Sequence, residues 1–423
     1  MNKEMRKVLL SGMVGNALEW YDFVLFLQFT PFIGQLFFPS SDPDAAFLAA
    51  LGVFAVGFVM RPIGGVLFGY IGDKFGRKMS IVISILLMSI PTAAIGFLPT
   101  YEHIGIWAPI LLTIIRLMQG LALGGGFSGC MTFIVEHAPN DKRGLLGSAT
   151  MFSLGAGVLL GILVTNLCFH TVGRESFENW GWRIPFIISL GIGMVAFYIR
   201  GHVDESPVYL EAKKHGRLSR APVREVLSKH SGPLFAAISL YLCVTVPFYT
   251  FTGFFSNYLQ RMMKFSFHDA IVINGVAISL FMLAMPFASI VSDRMGRRKV
   301  IWFYALALAA VTYPVFILIN SGDFYQTLLG ECMFGIALGC YMGPIPAALV
   351  ELFPTSVRYT GLSLSYNISA AAFGGTTPFI LPKLIEYSGS TIMAPAFYIM
   401  AFAVITLATT MDFNDNCKKI LAE

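Results

Sequence analysis

Glu19 and Asp22 stand three residues apart in an otherwise apolar run, with Trp20 and Tyr21 between them. That spacing puts both carboxyl groups on one face of a helix. A carboxyl group inside a membrane span is costly unless it faces protein or water, so the pair is a candidate for carrying protons or coordinating substrate. The spacing does not say which of the two takes the proton, and a tie to neighbouring helices is the plainer alternative. Arg116 lies ten residues into another apolar run, about 15 Å deep at 1.5 Å per residue. Its guanidinium can hold a carboxylate through two hydrogen bonds. Arg61 precedes Pro62, where it either braces a kink or binds a carboxylate. Tyr241, Phe248, Tyr249, Phe251 and Phe255 form an aromatic set, most of it packing, some of it able to enclose a methylated ammonium. The substrate contacts expected from these residues are Trp20, Tyr21, Arg61, Arg116, Tyr249 and Glu331, with proton coupling at Glu19 and Asp22.

Glu331 enters this set through a repeat. Glu136, Pro139 and Arg143 return 215 residues later as Glu351, Pro354 and Arg358, and Asp73 to Lys78 return as Asp293 to Arg298. The same step carries Gly120 to Gly335, Gly124 to Gly339 and Arg116 to Glu331. A cation in one half thus faces an anion at the equivalent place in the other. They would form a pair that opens and closes, clamp the two ends of a zwitterion, or make a permanent structural pair. Matched charged motifs imply two homologous halves rocking around a central site, the organisation of a transporter.

The elements that hold these residues are membrane helices. Only 13% of the chain is charged and 56% is hydrophobic, with a mean hydropathy of +0.70; soluble domains run near 25% charged. Apolar runs long enough to cross a bilayer lie at 12–37, 46–72, 79–98, 106–128, 144–170 and 183–200. Six more follow at 233–258, 269–291, 299–319, 325–350, 357–382 and 391–411. The expected fold is an all-α membrane protein with twelve transmembrane helices in two pseudo-symmetric six-helix bundles. Residues 1–200 form the N-terminal bundle, 201–232 a cytoplasmic linker, and 233–423 the C-terminal bundle with a short cytoplasmic tail.

Of the 29 lysines and arginines, 22 fall at the termini and even-numbered connectors, and Arg61 and Arg116 lie inside spans. The opposite side keeps only Arg174, Arg183, Arg261, Lys264 and Lys383, which by the positive-inside rule places both termini in the cytoplasm. The paired motifs then lie on the cytoplasmic side. Asp73, Arg77, Lys78 and Glu136 read as one conformational latch and Asp293, Arg297, Arg298 and Glu351 as the other, with Arg143 and Arg358 also expected among the latch residues.

The net charge of +5 is spread over short connectors and forms no basic face, so nucleic acid is not expected. The six cysteines show no metal or disulfide spacing. No nucleophile or cofactor constellation appears, so neither an enzyme nor a metal or cofactor is expected. Gly124 to Gly126 has no Gly-Lys-Ser/Thr sequel and reads as close helix approach. Met1 to Leu10 lacks a cleavage site, which argues against a signal peptide.

The chain resembles the major facilitator superfamily, and within it the metabolite–proton symporters, which include proline/betaine, citrate, shikimate and 2-oxoglutarate carriers. The likeness rests on Gly15-Asn16 with Glu19 to Asp22, Arg61-Pro62, Gly69 through Lys78, Arg116 with Gln119-Gly120, and Glu136 through Gly144. It continues through Trp182 to Phe186, Glu205-Ser206-Pro207, Asp293 to Arg298, Glu351 to Pro354 with Arg358, and Tyr366-Asn367. It implies proton-coupled uptake by a single polypeptide, functional as a monomer among membrane lipid, in a bacterial cytoplasmic (inner) membrane. The leading substrate is a small zwitterion such as proline or glycine betaine; the alternative is an organic acid such as citrate, 2-oxoglutarate or shikimate. This chain has Gly126 where many of these relatives have glutamate. It also stops about a dozen residues after the last span without heptads, so osmotic activation through a coiled-coil tail is not expected.

Overall fold

The computed structural model describes residues 3–38 and 43–411, with 417, 419 and 421. Lys418 and most of the tail after residue 411 lie outside the described residues. Twelve membrane helices follow one another. The first six are α1 (Lys3–Phe37), α2 (Pro43–Lys74), α3 (Arg77–Phe97), α4 (Trp107–His137), α5 (Arg143–Val172) and α6 (Arg183–Gly201). The second six are α7 (Ser231–Phe254), α8 (Phe267–Met295), α9 (Arg297–Ile319), α10 (Phe324–Val350), α11 (Arg358–Ser388) and α12 (Met393–Thr409). Among the described residues ten are long and apolar enough to cross a membrane; the others are the 35-residue α1, which holds Glu19 and Asp22, and the 17-residue α12.

The helices overrun the apolar stretches where buried polar residues replace apolar ones. The fourth apolar run ends at 128, yet α4 continues to His137, because Ser128, Thr132 and Glu136 are buried in protein. Hydropathy loses such a segment, while the backbone keeps its helical hydrogen bonds.

Two six-helix bundles repeat one packing scheme. In the first, α2 crosses α4; in the second, α8 crosses α10. Both crossings depend on glycine. A Cβ on Gly124 would stand 2.5 Å from the carbonyl carbon of Gly64, and one on Gly339 2.3 Å from the carbonyl oxygen of Phe281. The bundles meet along α2 with α11 and α5 with α8, again equivalent pairs. Large apolar side chains such as Val59, Leu163, Phe235, Phe287 and Phe303 point outward, while Glu19, Asp22, Arg61, Arg116 and Glu331 are buried. This reverses the pattern of a water-soluble protein and suits lipid as the surrounding solvent.

Helical regularity breaks beside the centre. Pro62 lies inside α2 directly after Arg61, and Pro247 inside α7 two residues before Tyr249. Thr250–Phe254 and Ala370–Gly374 each form a wider π-type turn, in α7 and α11. The stretch between the bundles is not free. Its helix Pro207–Lys214 docks through Tyr209, whose hydroxyl donates to the Lys74 carbonyl at 3.0 Å.

Gly124→Ala and Gly339→Ala should each destabilise the protein. Alanine gains up to about 1 kcal/mol in helix propensity, but the new methyl meets backbone that has no room to move, a cost of about 1–3 kcal/mol. Gly191→Ala in α6, with nothing within 4 Å of the added carbon, should not destabilise. Melting curves in detergent would show the order, and equal stability of all three would contradict the packing account.

Candidate functional site

Two mirrored clusters close one end of the molecule, here termed the latch end. In the first, Asp73 at the end of α2 accepts the backbone N–H groups of Tyr359 (3.1 Å) and Thr360 (2.9 Å) at the start of α11. The carboxylate thereby caps a helix of the other bundle, where the helix dipole favours negative charge. Arg77 binds Asp73 at 3.1 Å and both oxygens of Glu136 at 3.2–3.3 Å, and donates to the Thr355 carbonyl at 2.7 Å. Arg358 crosses from the second bundle to Glu136 at 2.7 Å.

The second cluster repeats this geometry. Asp293 accepts the N–H groups of Gly144 (2.8 Å) and Leu145 (2.9 Å) at the start of α5. Arg297 pairs with Asp293 at 2.8 Å and with Glu351 at 3.2 Å, and Arg143 crosses to Glu351 at 3.8 Å. The connecting glycines, Gly76 and Gly296, have φ values of 120° and 100°, which favour a residue without a Cβ.

Two expected members do other work. Lys78 does not reach Glu136: its backbone N–H donates to Glu205 at 3.1 Å, and its ammonium to the Gly201 carbonyl at 3.0 Å. Glu205 thus caps α3, and burial pushes its carboxyl above the usual range while these N–H donors pull it back. Arg298 stacks over Trp302 at 5.6 Å instead of joining Glu351. Position decides both, since Arg77 and Arg297 already fill the inward-facing place on each turn.

At mid-depth the structure does not bring Arg116 and Glu331 together. Arg116 binds Asp22 at 3.3 Å and Gln119 at 2.7 Å, with its guanidinium 4.2 Å from the Phe26 ring centre. Gln119 completes the set by donating to Asp22 and Thr92, each at 2.8 Å. Arg116 is therefore neutralised inside the first bundle. Glu331 is fully buried in the second, and among the described residues neither of its oxygens has a hydrogen-bond partner.

Arg61 occupies the space between the bundles. Its Nη1 donates to the Tyr249 hydroxyl at 3.1 Å and its Nε to Asn367 at 3.3 Å, both on the second bundle. The guanidinium lies 4.9 Å from the Tyr366 ring centre and 5.3 Å from that of Phe58. Its Nη2 is buried without a hydrogen-bond partner among the described residues, and no carboxylate pairs with it there. Trp20 meets Phe248 across the interface at 5.1 Å, and Phe23 and Phe58 each meet Tyr249 at 5.9 Å. Tyr21 turns away, donating to the Pro185 carbonyl of α6 at 2.6 Å.

Glu19 lies against Gly126. A Cβ there would fall 1.4 Å from the Glu19 carboxyl oxygen, so the absence of a side chain at 126 makes room for that carboxyl. Gln119, Asn367 and Tyr366 belong to these polar clusters and are not among the site residues expected from sequence. Gln119 carried a readable spacing, three residues after Arg116, and Tyr366-Asn367 stood among the family motifs, but neither signal showed that Tyr366 and Asn367 meet Arg61 across the bundles.

Glu136→Gln should open the latch end. It leaves Arg77 and Arg358 short of a counter-charge, and breaking a buried pair from one side costs about 3–5 kcal/mol. Spin labels at Phe75 and Met295, in a cysteine-free background, should gain a longer-distance population. An unchanged distance distribution would mean Glu136 does not hold the bundles together.

The family profile described as "Sugar (and other) transporter" matches residues 8–414. The proline/betaine transporter of Salmonella typhimurium is 36% identical, the alignment covering 99% of this chain and 85% of that protein. The glycine betaine/proline/ectoine/pipecolic acid transporter OusA of Dickeya dadantii gives the same figures, and the ectoine/proline transporter ProP of Corynebacterium glutamicum is 32% identical over 99% and 86%. Among solved structures, the major facilitator superfamily proton:xylose symporter XylE, bound to 6-bromo-6-deoxy-D-glucose, superposes with a TM-score of 0.82. That alignment has 16% identity and covers 99% of this chain and 98% of that one. The last likeness speaks to fold alone, and the expected twelve-helix fold is borne out. The chain belongs to the sugar (and other) transporter family of the major facilitator superfamily, and is a multi-pass membrane transporter, not an enzyme.

Proposed function

We propose that this protein takes up a small zwitterion of the proline or glycine betaine type together with protons, by alternating access. The substrates named for its relatives support the class. The observation that carries the reading is Arg61, a buried cation between the bundles with an uncommitted Nη2, set among aromatic rings. A substrate carboxylate would bind that nitrogen through a charge-assisted hydrogen bond. The ammonium end would lie among Trp20, Phe23, Phe58 and Tyr249, where ring faces attract a cation. Arg116, the residue favoured from sequence for the carboxylate, is already occupied by Asp22, so that role passes to Arg61. A zwitterion suits the site because it brings no net charge into it.

The rings pack on one another in this state, so α1 must part from α7 to admit substrate. We take the latch end as cytoplasmic, with the stretch 201–232 joining the bundles there and both termini on that side. The carboxyl groups of Glu19 and Asp22 carry the proton. Neutralising Asp22 would release Arg116 and Gln119, which couples the proton to a rearrangement of α1 against α4. With proton and substrate bound, the outer side closes, the two latches separate, and both leave to the cytoplasm. The paired latches are then the two-state element that the cargo biases.

Counterflow in proteoliposomes against proline, glycine betaine, citrate, 2-oxoglutarate and shikimate tests the class, followed by uptake under an imposed pH gradient. Saturable exchange of proline or betaine and uphill uptake with the outside acidic are expected. Exchange of only a di- or tricarboxylate, or uptake indifferent to the gradient, would overturn the reading. Arg61→Gln should raise the KM for the transported zwitterion roughly 10- to 100-fold, since a hydrogen bond to a charged group is worth about 1.5–3 kcal/mol.

A further inference from the structure

Arg200 closes α6 and is 1% exposed. Its Nε donates to the Ser11 carbonyl of α1 at 3.0 Å, while neither Nη1 nor Nη2 has a hydrogen-bond partner among the described residues. Nη2 faces α1 at Gly15, 3.4 Å from where a Cβ would stand. Ser11, Gly15 and Glu19 recur every four residues, so they line one stripe of α1 from the latch end towards mid-depth.

On this stripe two buried polar atoms, the Ser11 hydroxyl and Oε2 of Glu19, lack hydrogen-bond partners among the described residues. Single orphans are ordinary, but one at each end of the stripe, with both terminal nitrogens of the Arg200 guanidinium beside it, marks a place that water satisfies. The charged and titratable groups facing it are few. Arg61 from α2 and Arg200 from α6 are the cations whose field reaches Glu19. Cys130 of α4 and Tyr359 of α11 lie within electrostatic reach of both Arg200 and Glu19, and Tyr366 within reach of Glu19.

We propose that this stripe is a hydrated proton path inside the first bundle, joining Glu19 to the latch end, with Arg200 as the positioning cation that balances Glu19 once its proton has left. The proposal rests on the proton-symport reading and adds a route to it. The Glu19 carboxyl gives its hydrogen to water, forming a carboxylate and hydronium, and the hydronium's proton passes along the α1–α6 contact. The route runs within one bundle, whereas the substrate passes between two. Proton release therefore does not wait for the substrate's exit, and Arg200 compensates the charge left on Glu19.

Arg200→Gln and Arg200→Lys, reconstituted beside wild type, test this. Arg200→Gln should keep the counterflow KM for glycine betaine within about twofold and its melting temperature near wild type. Its uptake driven by a pH gradient should fall at least tenfold. The lumenal pH that half-inhibits uptake should move upward, because without the cation the proton leaves Glu19 less readily. Arg200→Lys should restore most of the gradient-driven uptake. In a Glu19→Gln background, Arg200→Gln should add nothing further. Equal loss of counterflow and of driven uptake would reduce Arg200 to a structural role and overturn the proposal. So would an unshifted lumenal pH profile, or an effect that adds to that of Glu19→Gln. Wild-type protein without gradient-driven uptake would instead sink the symport reading, which keeps the two failures apart.

Discussion

An ionised group deep in apolar surroundings must be paired, capped or hydrated, and that requirement orders this molecule. The cost of leaving such a group alone runs to several kcal/mol even after relaxation. Arg77, Glu136, Arg297, Glu351 and Arg358 meet the requirement with one another, and Asp73 and Asp293 meet it by capping helices of the opposite bundle. Asp22 and Arg116 meet it within one bundle. Among the described residues Arg61, Glu19, Arg200 and Glu331 have no ion-pair partner, and each keeps at least one buried polar atom without a hydrogen bond. The satisfied groups hold the state together, and the unsatisfied ones mark where cargo or water belongs.

The mirrored latches show how a stable closed end can still open. Each capping carboxylate binds two N–H groups of a helix it must leave, and each Glu binds arginines from both bundles. On separation, water replaces the partners that cross between the bundles together, while Arg77–Glu136 and Arg297–Glu351 stay paired within theirs, so the element has two states without a graded middle. The halves are not identical. Arg358 reaches Glu136 at 2.7 Å, whereas Arg143 reaches Glu351 only at 3.8 Å.

The spans and the paired charged motifs were legible in the sequence because hydropathy and a charged repeat both survive without knowledge of contacts. The 215-residue step also aligned Gly120 and Gly124 with Gly335 and Gly339, which pack against their own partner helices in the same way. It misled for Arg116 and Glu331. A pseudo-twofold relation puts equivalent residues at mirrored places, and they meet only when they lie near the axis. Arg116 faces α1 and finds Asp22, while Glu331 is buried inside the second bundle. Arg61, whose role was evenly divided in the sequence, lies at the interface instead. Arg200 was hidden for another reason: an arginine ending an apolar run looks the same whether it snorkels to the surface or turns inward.

The central claim is that Arg61 recognises the carboxylate end of a zwitterion. Calorimetric binding of glycine betaine and of choline, which has the same trimethylammonium without the carboxylate, tests it most directly on purified wild type and Arg61→Gln. The account predicts that wild type prefers betaine by roughly 10- to 100-fold, the worth of one hydrogen bond between charged groups, and that Arg61→Gln binds the two alike. Retention of the full preference in Arg61→Gln would contradict it.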